Sequence, residues 1–262
     1  DTSGNDTGHC VRPTTDGGFV IAGTTSAQGA ANALLLVKTN SSGFVTWAKT
    51  FAGSLTSGPF ASVRQTVDGG YTSNSAKDRK YALDRTLRTI DIAREIGSKA
   101  VVLWLAREGS YIRESKNARL AYQRILETIN AMLAHDKDIE IWIEPKPNEP
   151  TDMADVPTIG HTVALAYASS DPKRVKGLIE TAHALLAGLD PSDEMAFALA
   201  HDKLGSVHLN DQNGLKYDQD KNFGAANLRV AFNQVRVLEE ANYGSKGEFI
   251  GLDVKAMRTQ KG

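Results

Sequence analysis

The sequence predicts an α/β protein: about five βα units of a (β/α)8 barrel, preceded by a small antiparallel all-β segment. Three observations carry this. The first is a break in composition. Residues 1–75 hold 11 of the 23 glycines and 21 serines or threonines, but only 8 of the 61 charged residues. The second is regular alternation of helical periods with short apolar runs after residue 77, the pattern of a parallel sheet. The third is what stands at the ends of those runs: Trp104, Glu144, Glu180, His208 and Asp253. In a barrel, function gathers at the carboxyl ends of the strands. The expected division is 1–76 for the β-rich segment and 77–262 for the partial barrel.

The first part reads as β. Gly18–Thr24, Leu34–Thr39 and the alternating Phe44–Phe51 are strand-like, and Asn40-Ser-Ser-Gly43 reads as a hairpin loop. Val11-Arg-Pro-Thr-Thr-Asp-Gly-Gly-Phe19 recurs as Val63-Arg-Gln-Thr-Val-Asp-Gly-Gly-Tyr71, a shift of 52 residues. A period near 50 with this signature resembles the DGGY/F repeats of bacterial β-propellers. One blade and the start of another are present, where a closed propeller needs at least about four. His9 and Cys10 are adjacent but lack further ligands nearby and are read as incidental.

From Asp78, the residues Leu83, Leu87, Ile90 and Ala93 line one helical face, with Gly97 as the stop. Ala100–Leu105 is a buried strand. Asn117 to about His135 is a helix, followed by the strand Ile139–Glu144. A helix near Thr158–Ser169 precedes the strand Val175–Glu180. Asp190-Pro-Ser-Asp193 opens another helix. Gly205–Leu209 is the next strand, Gly224–Ala241 a long helix, and Glu248–Asp253 the last strand.

Composition narrows the function. The chain has 262 residues, 41% of them apolar and 23% charged, as in an ordinary globular protein. A net charge of −1 gives no global pull toward nucleic acid or an anionic membrane. One cysteine, Cys10, excludes an intramolecular disulfide and a Cys-based zinc site. Apolar runs are too short for a membrane span. The start has no signal-peptide pattern and no initiator Met, so the chain is expected to be processed or excised from something longer.

The chemistry concentrates in five carboxylates and two imidazoles: Glu144, Glu180, Asp218, Asp220 and Asp253, with His183 and His208. Glu180 and His183 form Glu-x-x-His where the chain leaves a strand. Asp218 and Asp220 bracket one residue, so an extended loop would point both the same way. Five negative charges in one mouth repel unless cations neutralise them. Two divalent ions bring the sum from −5 to −1. Oxygen ligands favour Mg²⁺ or Mn²⁺, and the imidazoles shift the preference toward Mn²⁺ or Co²⁺.

The motif Glu144-Pro-Lys-Pro-Asn-Glu-Pro150 gives this set a family. From about Arg79 to about Arg258 the sequence resembles the xylose isomerases, covering roughly half of such an enzyme. The resemblance implies that Glu144, Glu180, His183, Asp218, Asp220 and Asp253 are metal ligands, with Glu180 bridging two ions. It implies that Lys146 holds the substrate's carbonyl oxygen and that Trp104, in Leu-Trp-Leu-Ala-Arg-Glu-Gly109, is the wall against which the sugar packs. His208 stands where the family usually has aspartate; an imidazole coordinates there in the related L-rhamnose isomerases. The implied activity is aldose–ketose interconversion by a metal-assisted hydride shift, with Lys146 and Asp220 catalytic and Trp104, Lys146 and His183 binding the substrate. A pentose or hexose is the expected substrate and Mg²⁺, Mn²⁺ or Co²⁺ the expected ions. The family's ring-opening histidine and aspartate, from an early strand, have no counterpart here. Two alternatives follow: a xylosidase-like glycoside hydrolase in the same pocket, or a non-catalytic chimera that binds metal or sugar. An open five-stranded sheet leaves two edges, so a homo-oligomer is expected. The isomerase resemblance implies a cytoplasmic protein and the propeller resemblance an exported one.

Overall fold

Short polar caps set where the chain turns helical, and apolar alternation sets where it turns to sheet. Both are visible in a computed structural model of the chain. It describes residues 6–14, 16–25, 33–51, 68–215 and 217–255. The chain divides into two compact units, Asp1–Val67 and Asp68–Gly262.

The first unit is an antiparallel meander of four strands in sequential order, β1 (Asp6–Pro13), β2 (Phe19–Thr25), β3 (Ala33–Thr39) and β4 (Val45–Phe51). The loop between β3 and β4 is the expected Asn40–Gly43 turn. The Asn40 Oδ1 accepts the N–H groups of Ser42 and Phe44, and Gly43 takes φ 82°, which glycine adopts without strain. The side chains of His9 and Cys10, and residues 63–67 of the second repeat copy, lie outside what is described.

The boundary falls at Val67/Asp68 rather than near residue 76. The reason is Glu108. Its buried carboxylate accepts the backbone N–H groups of Gly70, Tyr71 and Thr72 and the Thr72 hydroxyl, at 2.8–3.1 Å. Arg124 and Arg79 donate to the carbonyls of Thr72 and Ser73. Asp68–Ser75, including the Asp-Gly-Gly-Tyr of the second repeat copy, is thereby held in the α/β unit.

The second unit carries helices α1 (Ala76–Glu95), α2 (Ala118–His135), α3 (Ile159–Ala168), α4 (Thr181–Leu186), α5 (Pro191–Ala200) and α6 (Leu228–Glu240). Ser75, Asn117, Asp190 and Asn227 cap α1, α2, α5 and α6, each accepting an N–H of the first turn. The last helix begins at Leu228, not Gly224. Gly224 has φ 77°, outside the helical region, and Asn227 supplies the cap.

Five strands, β5 (Ala100–Trp104), β7 (Glu140–Glu144), β9 (Val175–Glu180), β10 (Leu204–Leu209) and β11 (Phe249–Leu252), form one parallel sheet in the order β11-β10-β9-β7-β5. This is the expected half-barrel. Alternate residues of the strands face the helices. Ile141 and Ile143 pack there with Ile90, Ile125, Ile129 and Met132; Ile179 and Val207 pack with Ile159, Met195 and Leu238. The sequence reading missed α4 and a two-stranded antiparallel pair, β6 (Gly109–Ser110) and β8 (Met153–Ala154). A Cβ at Gly109 would run into the Met153 carbonyl oxygen, so only glycine lets this pair close. Among the described residues, no helix is long and apolar enough to cross a membrane.

Candidate metal and sugar site

Register brings the strand ends level. Trp104 pairs with Glu144, and Glu180 with His208. Asp253 follows directly on β11, the neighbour of β10. A Cβ at Gly251 would lie 2.8 Å from the His208 ring, so the glycine leaves room for the imidazole. His183 sits in α4, the short helix that begins as β9 ends, which turns it back over Glu180. Asp218 and Asp220 come from the loop after β10. That loop is not extended, since Asp220 has φ 44°; its two carboxylates nevertheless lie close enough for Asp218 to raise Asp220.

One cavity of about 470 Å³ is shared by Trp104, Glu144, Lys146, Glu180, His183, Asp218, Asp220 and Asp253; His208 is not part of its lining. Glu144, Glu180 and His183 are 5%, 3% and 3% exposed, whereas Trp104 is half-exposed at the rim. Their polar atoms fall into two groups able to hold a cation: Glu144, Glu180, His208 and Asp253, and Glu180, His183 and Asp218. Glu180 belongs to both. Asp220 belongs to neither and stands beside the second.

The donor set fits divalent cations. His183 Nε2 lies 3.4 Å from Glu180 Oε1 and 3.3 Å from Asp218 Oδ2. Two ligands each about 2.1 Å from one ion, at roughly right-angled to tetrahedral geometry, lie about 3.0–3.4 Å apart. In the first group, His208 Nδ1 is 3.7 Å from Asp253 Oδ2 and 4.0 Å from Glu144 Oε2. Three buried atoms in these groups, His183 Nδ1, His208 Nδ1 and Asp218 Oδ1, have no hydrogen-bond partner. Buried polar atoms are normally satisfied; a cation in the first group would satisfy His208 Nδ1, which faces Glu144 and Asp253, whereas His183 meets its group through Nε2 and its Nδ1 lies 3.5 Å from Glu144 Oε1.

The charges show the same need. Burial first, and the charge of Glu144 second, push the Glu180 carboxyl up to about 10. Glu180 is therefore protonated at neutral pH where no cation sits beside it. Burial also raises Asp218, but hydrogen bonds from His183, Asp220 and Lys146 outweigh it and hold Asp218 below the usual range. Asp220 is raised by burial and by Asp218, against the pull of Lys255.

Lys146 is buried, with Nζ 2.7 Å from Asp218 Oδ2, 3.7 Å from Glu149 and 5.4 Å from the Trp104 ring centre. Four further residues matter that the sequence reading did not single out. Lys255 Nζ pairs with Asp220 at 2.7 Å and donates to the Asp218 carbonyl. Glu149 accepts the Asp218 N–H at 2.7 Å. Arg107 lines the cavity. Asn210 donates to Glu180 and Asp220. The usable signal for two of them is period two: Asn210 follows His208, and Lys255 follows Asp253, by two residues.

Comparison with known proteins places the arrangement. A family model described as xylose isomerase-like TIM barrel matches residues 50–255. A D-tagatose 3-epimerase-like protein superposes with TM-score 0.58 at 18% identity, over 74% of this chain and 70% of that one. The 3-keto-D-glucoside 4-epimerase YcjR from E. coli gives 0.53 at 16%, over 74% and 71%. A Thermus thermophilus protein, TTHB071, soaked with ZnCl2, gives 0.51 at 18%, over 73% and 70%. At these identities the likeness is one of fold.

Proposed function

Because the chain belongs to the xylose isomerase-like TIM barrel family, we propose that it is a metal-dependent sugar isomerase, interconverting an aldose and a ketose. The observation that carries this reading is Glu180, one buried carboxylate common to two cation-holding groups on the wall of a single cavity. Glu144, Glu180, His208 and Asp253 would hold one ion, and Glu180, His183 and Asp218 the other. Mg²⁺, Mn²⁺ or Co²⁺ suits this mixture of oxygen and imidazole donors. When bound, divalent ions supply Lewis-acid polarisation of the sugar oxygens.

The chain's own groups do the rest. Lys146, turning from Asp218, donates its ammonium proton to the sugar's carbonyl oxygen and stabilises charge that develops there. Asp220, held by Lys255 and raised above the ordinary aspartate range, is placed to take the hydroxyl proton. Hydride then passes between adjacent sugar carbons. Trp104 offers its face to the apolar side of the ring. The cavity volume suits a pentose or hexose, and the sugar-epimerase names of two fold neighbours support the same substrate class.

One ligand atom from each residue of a group, carboxylate oxygen or imidazole nitrogen, lies within 4.8 Å of the others. That is closer than the roughly 5–9.5 Å that lets two carboxyls flank a glycosidic bond. The spacing favours cation holding over a pentosidase. The four-stranded meander supports a blade-like reading of the first unit. Exposed Phe249, Ile250 and Leu252 on β11, an edge strand of the described sheet, support self-association. Light scattering at micromolar concentration should then show a dimer or larger, and a clean monomer counts against it.

The test of the site is Glu180→Gln. Losing the shared carboxylate should abolish high-affinity binding of both ions in a calorimetric titration, together with aldose–ketose turnover. A variant that still binds two ions removes the reading.

A further inference from the structure

We propose that Asn210 is the positioning residue that couples the two cation groups; the inference rests on the functional reading above. Asn210 is 0% exposed. Its Oδ1 accepts the Ala182 N–H at 2.7 Å, which fixes which way the amide faces. Its Nδ2 then donates toward three acceptors: Glu180 Oε1 at 2.8 Å, the Asp253 carbonyl at 2.9 Å and Asp220 Oδ1 at 3.2 Å. An amide has two such protons, so the longest contact, to Asp220, is the shared one.

Each acceptor belongs to a different part of the site. Glu180 is the carboxylate the two groups have in common. Asp253 is the most exposed member of the first group, and its side chain gains no rigidity from burial; Asn210 holds its backbone instead. Asp220 adjoins the second group. The oxygen that Asn210 holds, Glu180 Oε1, is the one 3.4 Å from His183 Nε2. The Ala182 N–H ties the same amide to the helix that carries His183. One side chain therefore sets the spacing between Glu180 at the end of β9, Asp253 just after β11 and the helix α4 that carries His183. A residue in such a place acts on metal affinity through the ligands it orients.

Asn210→Asp separates positioning from charge. Aspartate keeps an oxygen for the Ala182 N–H, has no proton for the three acceptors, and adds a negative charge. Charge alone predicts tighter cation binding; positioning predicts weaker. The experiment is Mn²⁺ titration of the full chain by calorimetry and by electron paramagnetic resonance, on wild type, Asn210→Asp and Asn210→Ala. The expected result is two ions in wild type with an exchange-coupled spectrum. Each variant should bind both about 10–100-fold more weakly and lose the coupled signal, with an unchanged circular dichroism spectrum. If Asn210→Ala does not fold, Asn210→Asp decides. Wild-type affinity and spectrum in the variants, or tighter binding in Asn210→Asp, overturns the inference and leaves the isomerase reading standing. A wild-type chain that binds no Mn²⁺ overturns both.

Discussion

At the scale of single residues, the site is a balance between carboxylates that repel and cations that relieve them. Lys146 and Lys255 already pair with Asp218 and Asp220; Glu144 and Glu180 have no such lysine among the described residues. This has a consequence for pH. Glu180 sits at about 10 against an ordinary 4.5, through burial first and Glu144 second. A carboxyl raised on folding contributes stability that is complete below its unfolded pKa and is lost as pH climbs toward the folded one. Asp220, also raised, acts with the same sign. Asp218, held low, acts with the opposite sign, and only below its ordinary 3.8. Melting in EDTA from about pH 5 to about pH 9 should therefore show a falling midpoint. A hundredfold excess of divalent ion over its Kd should remove the slope and add about 2.7 kcal/mol for each ion bound, roughly 5–10 °C per ion. A midpoint that rises with pH in EDTA contradicts this account of the site. Glu144, Glu180, His208 and Asp253 stood out as candidates because residue type and strand-end position coincide, and His183, Asp218 and Asp220 because of the Glu-x-x-His and Asp-x-Asp spacings. Asn210 was not, because an asparagine in a polar loop carries no charge signal and its four bonds exist only after β9, β10 and β11 are in register.

At the scale of elements, βα alternation was readable because each strand follows a helical period and α1, α2, α5 and α6 each open on a capping residue. What escaped was short. The six residues of α4 are too few for a helical pattern, and β6 and β8, two residues each, have no periodicity at all. The domain boundary was misplaced for a different reason. Asp68–Ser75 is rich in glycine and serine like the segment before it, and only the tertiary bonds to Glu108 assign it to the α/β unit. Glu108→Ala should orphan the N–H groups of Gly70, Tyr71 and Thr72 and cost roughly 3–5 kcal/mol, since a buried donor left unpaired, here Thr72, costs about 1–3 and the part-buried donors of Gly70 and Tyr71 cost less. Glu108→Gln, which keeps an acceptor, should cost less. Urea unfolding of both variants measures the difference; equal stability of wild type and Glu108→Ala would show that the carboxylate does not hold the segment.

At the scale of the whole molecule, a five-stranded parallel half-barrel carries every member of the two cation groups, and a separate four-stranded meander carries none. Residues 68–262 expressed alone should thus bind divalent ions with the affinity of the full chain, and a large loss would give the first unit a part in the site. The half-barrel was legible from the sequence because its strands are local and apolar. The most direct test of the central claim is conversion of D-xylose to its ketose by the purified full chain, with Mn²⁺, Co²⁺ or Mg²⁺ and an EDTA control. EDTA should abolish the conversion, and added metal should restore it. Folded, metal-loaded protein that leaves D-xylose and other pentoses and hexoses unchanged would contradict it.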